Sequence, residues 1–218
     1  RRGRRFRRAL DGSAAAAREG ALHLALGLTL GHRPPAVLVG PAPGHAQLHL
    51  GPARLEVEGE RHQRVAALLH LAAELLELGI ETAFKTVAGD VEKDLEDAFK
   101  KARERCEIVL ITGGIGPTED DLTRRVLARI MKKRLVLSED ALKAVKDVFL
   151  SRGRECPAGN DRQALIPSGA RLLRNPVGVA PGFYLAEEKK FIAVMPGVPA
   201  EMRAMFREGL RQVLSDHF

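Results

Sequence analysis

From Leu68 onward the apolar positions switch repeatedly between a helical and an extended period. Leu68, Leu69, Ala72, Leu75, Leu76 and Leu78 follow helical spacing, and Gly79 stands where a left-handed residue would end the helix. Residues 82–87 then alternate in a β-prone run, Ala88-Gly89-Asp90 reads as a turn, and Val91, Leu95, Ala98 and Phe99 mark one face of a further helix. Ile108-Val109-Leu110-Ile111 is a short continuous apolar run, the pattern of a parallel strand covered on both faces. Residues 122–131 and 139–150 predict amphipathic helices, the second led by Ser138 at an N-cap position. Residues 182–185 and 191–195 read as a hairpin around the charged turn Glu187-Glu188-Lys189-Lys190. Pro199 suits the first turn of a last helix reaching about Leu214, with Met202, Met205, Phe206 and Leu210 on its buried face. The βαβα order predicts an α/β fold, a three-layer sandwich on a mostly parallel sheet, closed by a C-terminal hairpin and helix.

Composition divides this picture in two. Before Ile80 the chain has no Ile, Lys, Asn, Met, Cys or Tyr and overuses Arg, Ala, Leu, Gly, Pro and His. Residues 71–218 are therefore read as the domain proper, and residues 1–70 as an atypical Arg/Ala/Pro/His-rich segment. That segment is open to three explanations: a disordered extension, a divergent first strand and helix, or a frame error in a GC-rich gene. Within it, Ala36-Val37-Leu38-Val39-Gly40 is an apolar run ended by Gly and Pro, a candidate first strand. The histidines of this half show no metal-binding spacing: His45 and His49 stand four apart, but Pro43 and Gly44 argue against a helix there.

Charge changes the picture less than its total suggests. The net charge is +7, yet the arginine cluster from Arg1 to Arg8 concentrates the excess in a tail, so a solvated tail is expected and nucleic acid is not the expected partner. A chain of 218 residues with 45% hydrophobic content supports one core, and a second full enzyme domain is not expected. There is no run of eighteen apolar residues and no clean signal segment, which predicts a cytoplasmic chain without membrane association. Cys106 and Cys156 read as two reduced thiols.

The candidate chemistry lies in Thr112-Gly113-Gly114-Ile115-Gly116-Pro117-Thr118-Glu119-Asp120-Asp121-Leu122-Thr123, between a buried strand and a helix. In open parallel sheets ligands bind at that place. Gly113, Gly114 and Gly116 let a ligand approach the backbone, and the exposed N–H groups with the following helix start suit a phosphate. Glu119, Asp120 and Asp121 would repel an anion by themselves, and make sense if Mg²⁺ or a similar divalent cation bridges protein and phosphate. Glycines that end a strand and acids that cap a helix give the same letters without any ligand.

The twelve-residue string resembles the signature loop of the CinA (competence/damage-inducible) family and, more loosely, the corresponding loop of MoaB/Mog-type molybdopterin-binding proteins. Thr86-Val87-Ala88-Gly89-Asp90, Asn160-Asp161-Arg162-Gln163-Ala164, Asn175-Pro176-Val177-Gly178-Val179-Ala180-Pro181-Gly182 and Met195-Pro196-Gly197-Val198-Pro199-Ala200-Glu201-Met202 resemble further family segments, in family order. The resemblance implies a three-layer α/β/α sandwich. It implies that Thr112, Gly113, Gly114, Gly116, Pro117, Thr118 and Thr123 hold the phosphate end of a nucleotide or pterin such as molybdopterin, and that Gly197 belongs to a pocket wall. Asp121 and Asp90 would hold the metal, with Asp120 or Glu119 as general base. The implied reaction is metal-dependent hydrolysis of an ADP-ribose-type diphosphate; the alternatives are molybdopterin binding or adenylylation, and a non-catalytic ligand-binding module. Relatives are often homo-oligomers. Two family features are missing from the sequence: the first strand with its Gly-x-Glu-Leu-Leu turn, which leaves a sheet position empty or filled by Ala36 to Gly40, and the carboxyl-terminal deamidase domain, whose activity is not expected.

Overall fold

The protein is described by a computed structural model at residues 36–41, 68–89, 91–187 and 189–218. A six-stranded sheet is built from β1 (Ala36–Pro41), β2 (Thr82–Ala88), β3 (Ile108–Thr112), β6 (Arg171–Leu173), β7 (Gly182–Glu187) and β8 (Lys190–Met195), in the order β2-β1-β3-β8-β7-β6. Strand β1 runs parallel to both β2 and β3, and β3 parallel to β8; the β8-β7 and β7-β6 pairs are antiparallel. The run Ala36 to Gly40 is thus a strand, and it occupies the sheet position between β2 and β3. Chain order reverses there, because β2 lies to one side of β1 and β3 to the other. Such a switch point opens a crevice at the carboxyl ends of the strands.

Helices cover both faces of β3 and β8 because these strands are apolar on both. Ile108, Leu110, Phe191, Ala193 and Met195 face one way and pack with Leu68, Leu71 and Leu75 of α1 (residues 68–77) and with Met202, Met205, Phe206, Leu210 and Leu214 of the C-terminal helix. The alternate residues Val109, Ile111, Ile192 and Val194 pack with Leu95, Phe99 and Ala102 of α2 (Glu92–Arg105) and Val126 and Leu127 of α3 (Thr123–Ile130). A period of two on each strand therefore sorts its side chains into two cores, which is the three-layer α/β/α sandwich expected.

Several local expectations hold for identifiable reasons. Gly79 has φ 72°, and the bond from the Ile80 N–H to the Leu75 carbonyl (2.9 Å) closes the left-handed cap of α1. Ser138 Oγ accepts the Ala141 N–H at 3.2 Å and starts α4 (Glu139–Ser151). The hairpin is tighter than predicted, since Glu187 pairs with Lys190. The last helix runs past Leu214 as α5 (Pro199–Met205), a π-helical turn (Phe206–Leu210) and α6 (Arg211–His217). Leu69 and Leu76, placed on the apolar face by spacing, are exposed at 52% and 59%. The two-stranded sheet of β4 (Leu135–Leu137) and β5 (Leu165–Pro167), edge strand β6 and the 3-10 turn Asn160–Ala164 carry no period long enough to announce them.

Candidate functional site

Parallel pairing puts the carboxyl ends of β3 and β8 side by side, with Thr112 opposite Met195. The chain leaves one as Gly113-Gly114 and the other as Pro196-Gly197, and the Gly113 N–H donates to the Met195 carbonyl at 2.8 Å. The two exits are close enough that a Cβ on Gly197 would lie 3.3 Å from the Gly113 Cα. Beyond them opens a cleft of about 740 Å³. Its lining draws together segments far apart in sequence: the loop from Gly113 to Thr118 with Asp120 and Asp121, then Asn160 and Gln163, then Val179 and Ala180, and finally the turn from Pro196 to Pro199 with Glu201.

The glycine loop is shaped by how its carbonyls are tied. Gly113 and Gly114 have φ 91° and 69°, which side chains resist. A Cβ on Gly114 would overlap Thr123, whose N–H donates to the Gly114 carbonyl at 3.1 Å. Arg124, only 6% exposed, donates from Nη1 to the Ile115 carbonyl and from Nη2 to the Gly116 carbonyl, each at 2.5 Å. Desolvation lowers the Arg124 pKa to about 10, while Asp121 pulls it back up, so the guanidinium stays charged at neutral pH. Among the described residues the N–H groups of Gly114, Ile115 and Gly116 donate no hydrogen bond.

The acids that follow are not equivalent. Asp121 Oδ2 accepts the Thr118 N–H at 2.9 Å and the Thr118 hydroxyl at 2.5 Å, closing a turn against the loop. Gly116 permits this, since a Cβ there would come within 2.5 Å of Asp121 Oδ2. Asp120 also lines the cleft, whereas Glu119 is 88% exposed on its side chain and meets Arg162 at 3.8 Å. Asp90 lies outside the described residues. Among the described residues no three His, Cys, Asp or Glu side chains gather where they could hold a metal ion. Asp120 and Asp121 are the two acids of this loop that line the cleft.

The opposing wall is organised by Asn175. Its Nδ2 donates to the Ala180 carbonyl (3.0 Å) and to Glu201 Oε2 (2.7 Å), and its Oδ1 accepts the N–H groups of Val177 (3.2 Å) and Gly178 (2.8 Å). Gln163, buried, donates to Asn160 Oδ1 at 2.7 Å and steadies the segment around Asn160.

Of the residues singled out from sequence, Gly113, Gly114, Gly116, Pro117, Thr118, Asp120, Asp121 and Gly197 converge on the cleft. Thr112 and Thr123 are buried just behind it, where they support the loop. Sequence reasoning passed over Arg124 and Glu201. Arg124 stands three and four residues before Leu127 and Ala128 on the apolar face of α3, a spacing that by itself does not separate a buried arginine from a solvated one.

Comparison with known proteins agrees with this geometry. The model of a family described as "Probable molybdopterin binding domain" matches residues 62–216. A putative competence-damage inducible protein of Clostridium beijerinckii is 40% identical over 147 residues, 67% of this chain and 36% of that protein. A CinA-like protein of Dictyoglomus thermophilum is 44% identical over 137 residues, 63% of this chain and 33% of that protein. The chain therefore spans about a third of the length of these curated relatives. The crystal structure of the protein CinA of unknown function from Thermoplasma acidophilum is similar with a TM-score of 0.66 at 28% identity, covering 83% of this chain and 98% of that one.

Proposed function

We propose a function from one premise: the chain belongs to the molybdopterin-binding domain family, on its CinA-like side. The cleft binds the phosphate end of a nucleotide or pterin, and acts on ADP-ribose-type diphosphates by divalent-metal-dependent hydrolysis. The observation that carries this reading is the glycine loop, whose Gly114, Ile115 and Gly116 N–H groups have no acceptor among the described residues at the edge of the cleft. Unpaired N–H groups at a strand end and helix start suit phosphate oxygens.

Asp121 and Asp90 are the residues proposed to hold the cation, which when bound offsets charge on the diphosphate and lowers the pKa of a coordinated water. The chain's own residues then do the rest. The loop N–H groups fix the diphosphate and stabilise charge on its oxygens. A water oxygen bonds to one phosphorus, the bridging oxygen leaves with the other phosphate, and a carboxylate takes the water's proton. Asp120 suits that role better than Glu119, because Asp120 lines the cleft and Glu119 points to solvent and Arg162.

A second reading has its own support. The matched family is described by molybdopterin binding, and a phosphorylated pterin such as molybdopterin carries both the phosphate that the loop suits and ring N–H donors that a carboxylate such as Glu201 would accept. In that reading the domain binds without hydrolysis. Release of AMP from ADP-ribose, with and without Mg²⁺, separates the two. The hydrolase reading expects metal-dependent release, lost on Asp121→Asn by about a hundredfold or more. Equal turnover by the variant removes Asp121 from the mechanism, and no turnover by a folded chain that binds a phosphopterin favours the second reading.

A further inference from the structure

Each peptide group of the glycine loop has two ends, and the loop ties down only one of them. All peptide bonds here are trans, so a carbonyl drawn toward α3 turns the N–H of the next residue away from it. The Gly114 carbonyl is held by the Thr123 N–H, which turns the Ile115 N–H outward. The Ile115 carbonyl is held by Arg124 Nη1, which does the same for the Gly116 N–H. The first anchor is backbone and independent of sequence. The second is one side chain, and the peptide it holds is flanked by a glycine that could adopt either orientation at little cost.

We propose that Arg124 is a positioning residue of the anion site: gripping the Ile115 and Gly116 carbonyls from beneath, it aims the Gly116 N–H at the phosphate. This rests on the reading of the cleft as a phosphate site. The planar guanidinium reaches two carbonyls at once, which an ammonium on a lysine stem does not reproduce. Its position is costly unless something answers its charge. Arg124 is buried with two neutral carbonyls as its hydrogen-bond acceptors; nearby Asp121 answers part of its charge, and a further anion close by would stabilise it more. A phosphate on the far side of the same peptides supplies that charge without touching the guanidinium.

The test titrates inorganic pyrophosphate into the full chain while following the amide signals of Ile115 and Gly116. The unaltered chain is expected to bind with both signals moving. Arg124→Met is expected to bind about tenfold more weakly, with the Gly116 response lost and the Ile115 response kept. A general loss of packing would blunt both signals alike. Arg124→Lys, which keeps the charge and protects against a failure of the first variant to fold, is expected to weaken binding by a smaller factor and to disturb Gly116 alone. Affinity and Gly116 response unchanged in both variants would overturn the role of Arg124 and leave the phosphate site standing. No pyrophosphate binding by the unaltered chain would overturn both.

Discussion

The two walls of the cleft solve the same backbone problem with opposite polarity. On the glycine side the carbonyls of Gly114, Ile115 and Gly116 are consumed behind the loop, by Thr123 and Arg124, and N–H groups are left over. On the Asn175 side the N–H groups of Val177 and Gly178 are consumed by one amide oxygen, and the carboxylate of Glu201 is left at the cleft. One wall leaves N–H groups at the cleft and the other leaves a carboxylate there. The difference teaches that the chemistry of a loop is set by which half of its peptide groups is tied down, and by what. A buried cation ties carbonyls, and the half-buried amide of Asn175 ties both kinds.

The comparison breaks most severely at Gly114. Gly114→Ala places a Cβ against Thr123 at φ 69°, so the glycine wall must shift; a loss of about 1–3 kcal/mol in urea unfolding and of more than about tenfold in pyrophosphate affinity is expected. Retention of both would mean that the loop is not held as described. The other wall breaks at Asn175. Asn175→Ala strands two N–H groups and the Ala180 carbonyl, and should cost a similar 1–3 kcal/mol, roughly, in unfolding while pyrophosphate still binds at the glycine wall. Equal loss of pyrophosphate affinity would show that the walls are not separable. The mildest change sharpens the contrast: Glu201→Gln removes a charge with little change in shape. It is expected to weaken ADP-ribose by about threefold to tenfold, the difference between a charge-assisted and a neutral hydrogen bond, and to leave pyrophosphate unchanged. A parallel drop for both ligands would place Glu201 at the phosphate end.

Much of the sandwich could be read from residue order. The continuous apolar run Ile108 to Ile111, the cap at Gly79, Ser138 before α4 and the buried face Met202, Met205, Phe206 and Leu210 are local patterns, and the structure carries each of them. The glycine loop was legible because its letters are contiguous. Arg124 and Glu201 were not, since a charged residue on a helix normally faces water and only packing shows that Arg124 does not. The short strands β4, β5 and β6 escaped for a related reason. Three residues contain no period, and their existence depends on partners distant in sequence.

The sequence by itself determined the helices and buried strands, because helical and extended periods follow from backbone geometry and need only neighbouring residues. It also determined the composition of the glycine loop, where phosphate chemistry was expected. Tertiary structure alone decided that Ala36–Pro41 lies between β2 and β3, and so where the sheet's switch point falls. It alone brought residues near 113, 160, 180 and 197 to one cleft. And it alone buried Arg124 beneath two carbonyls. Strand order and burial arise from contacts between segments tens of residues apart, whose free energy depends on the assembled packing rather than on any local run of residues.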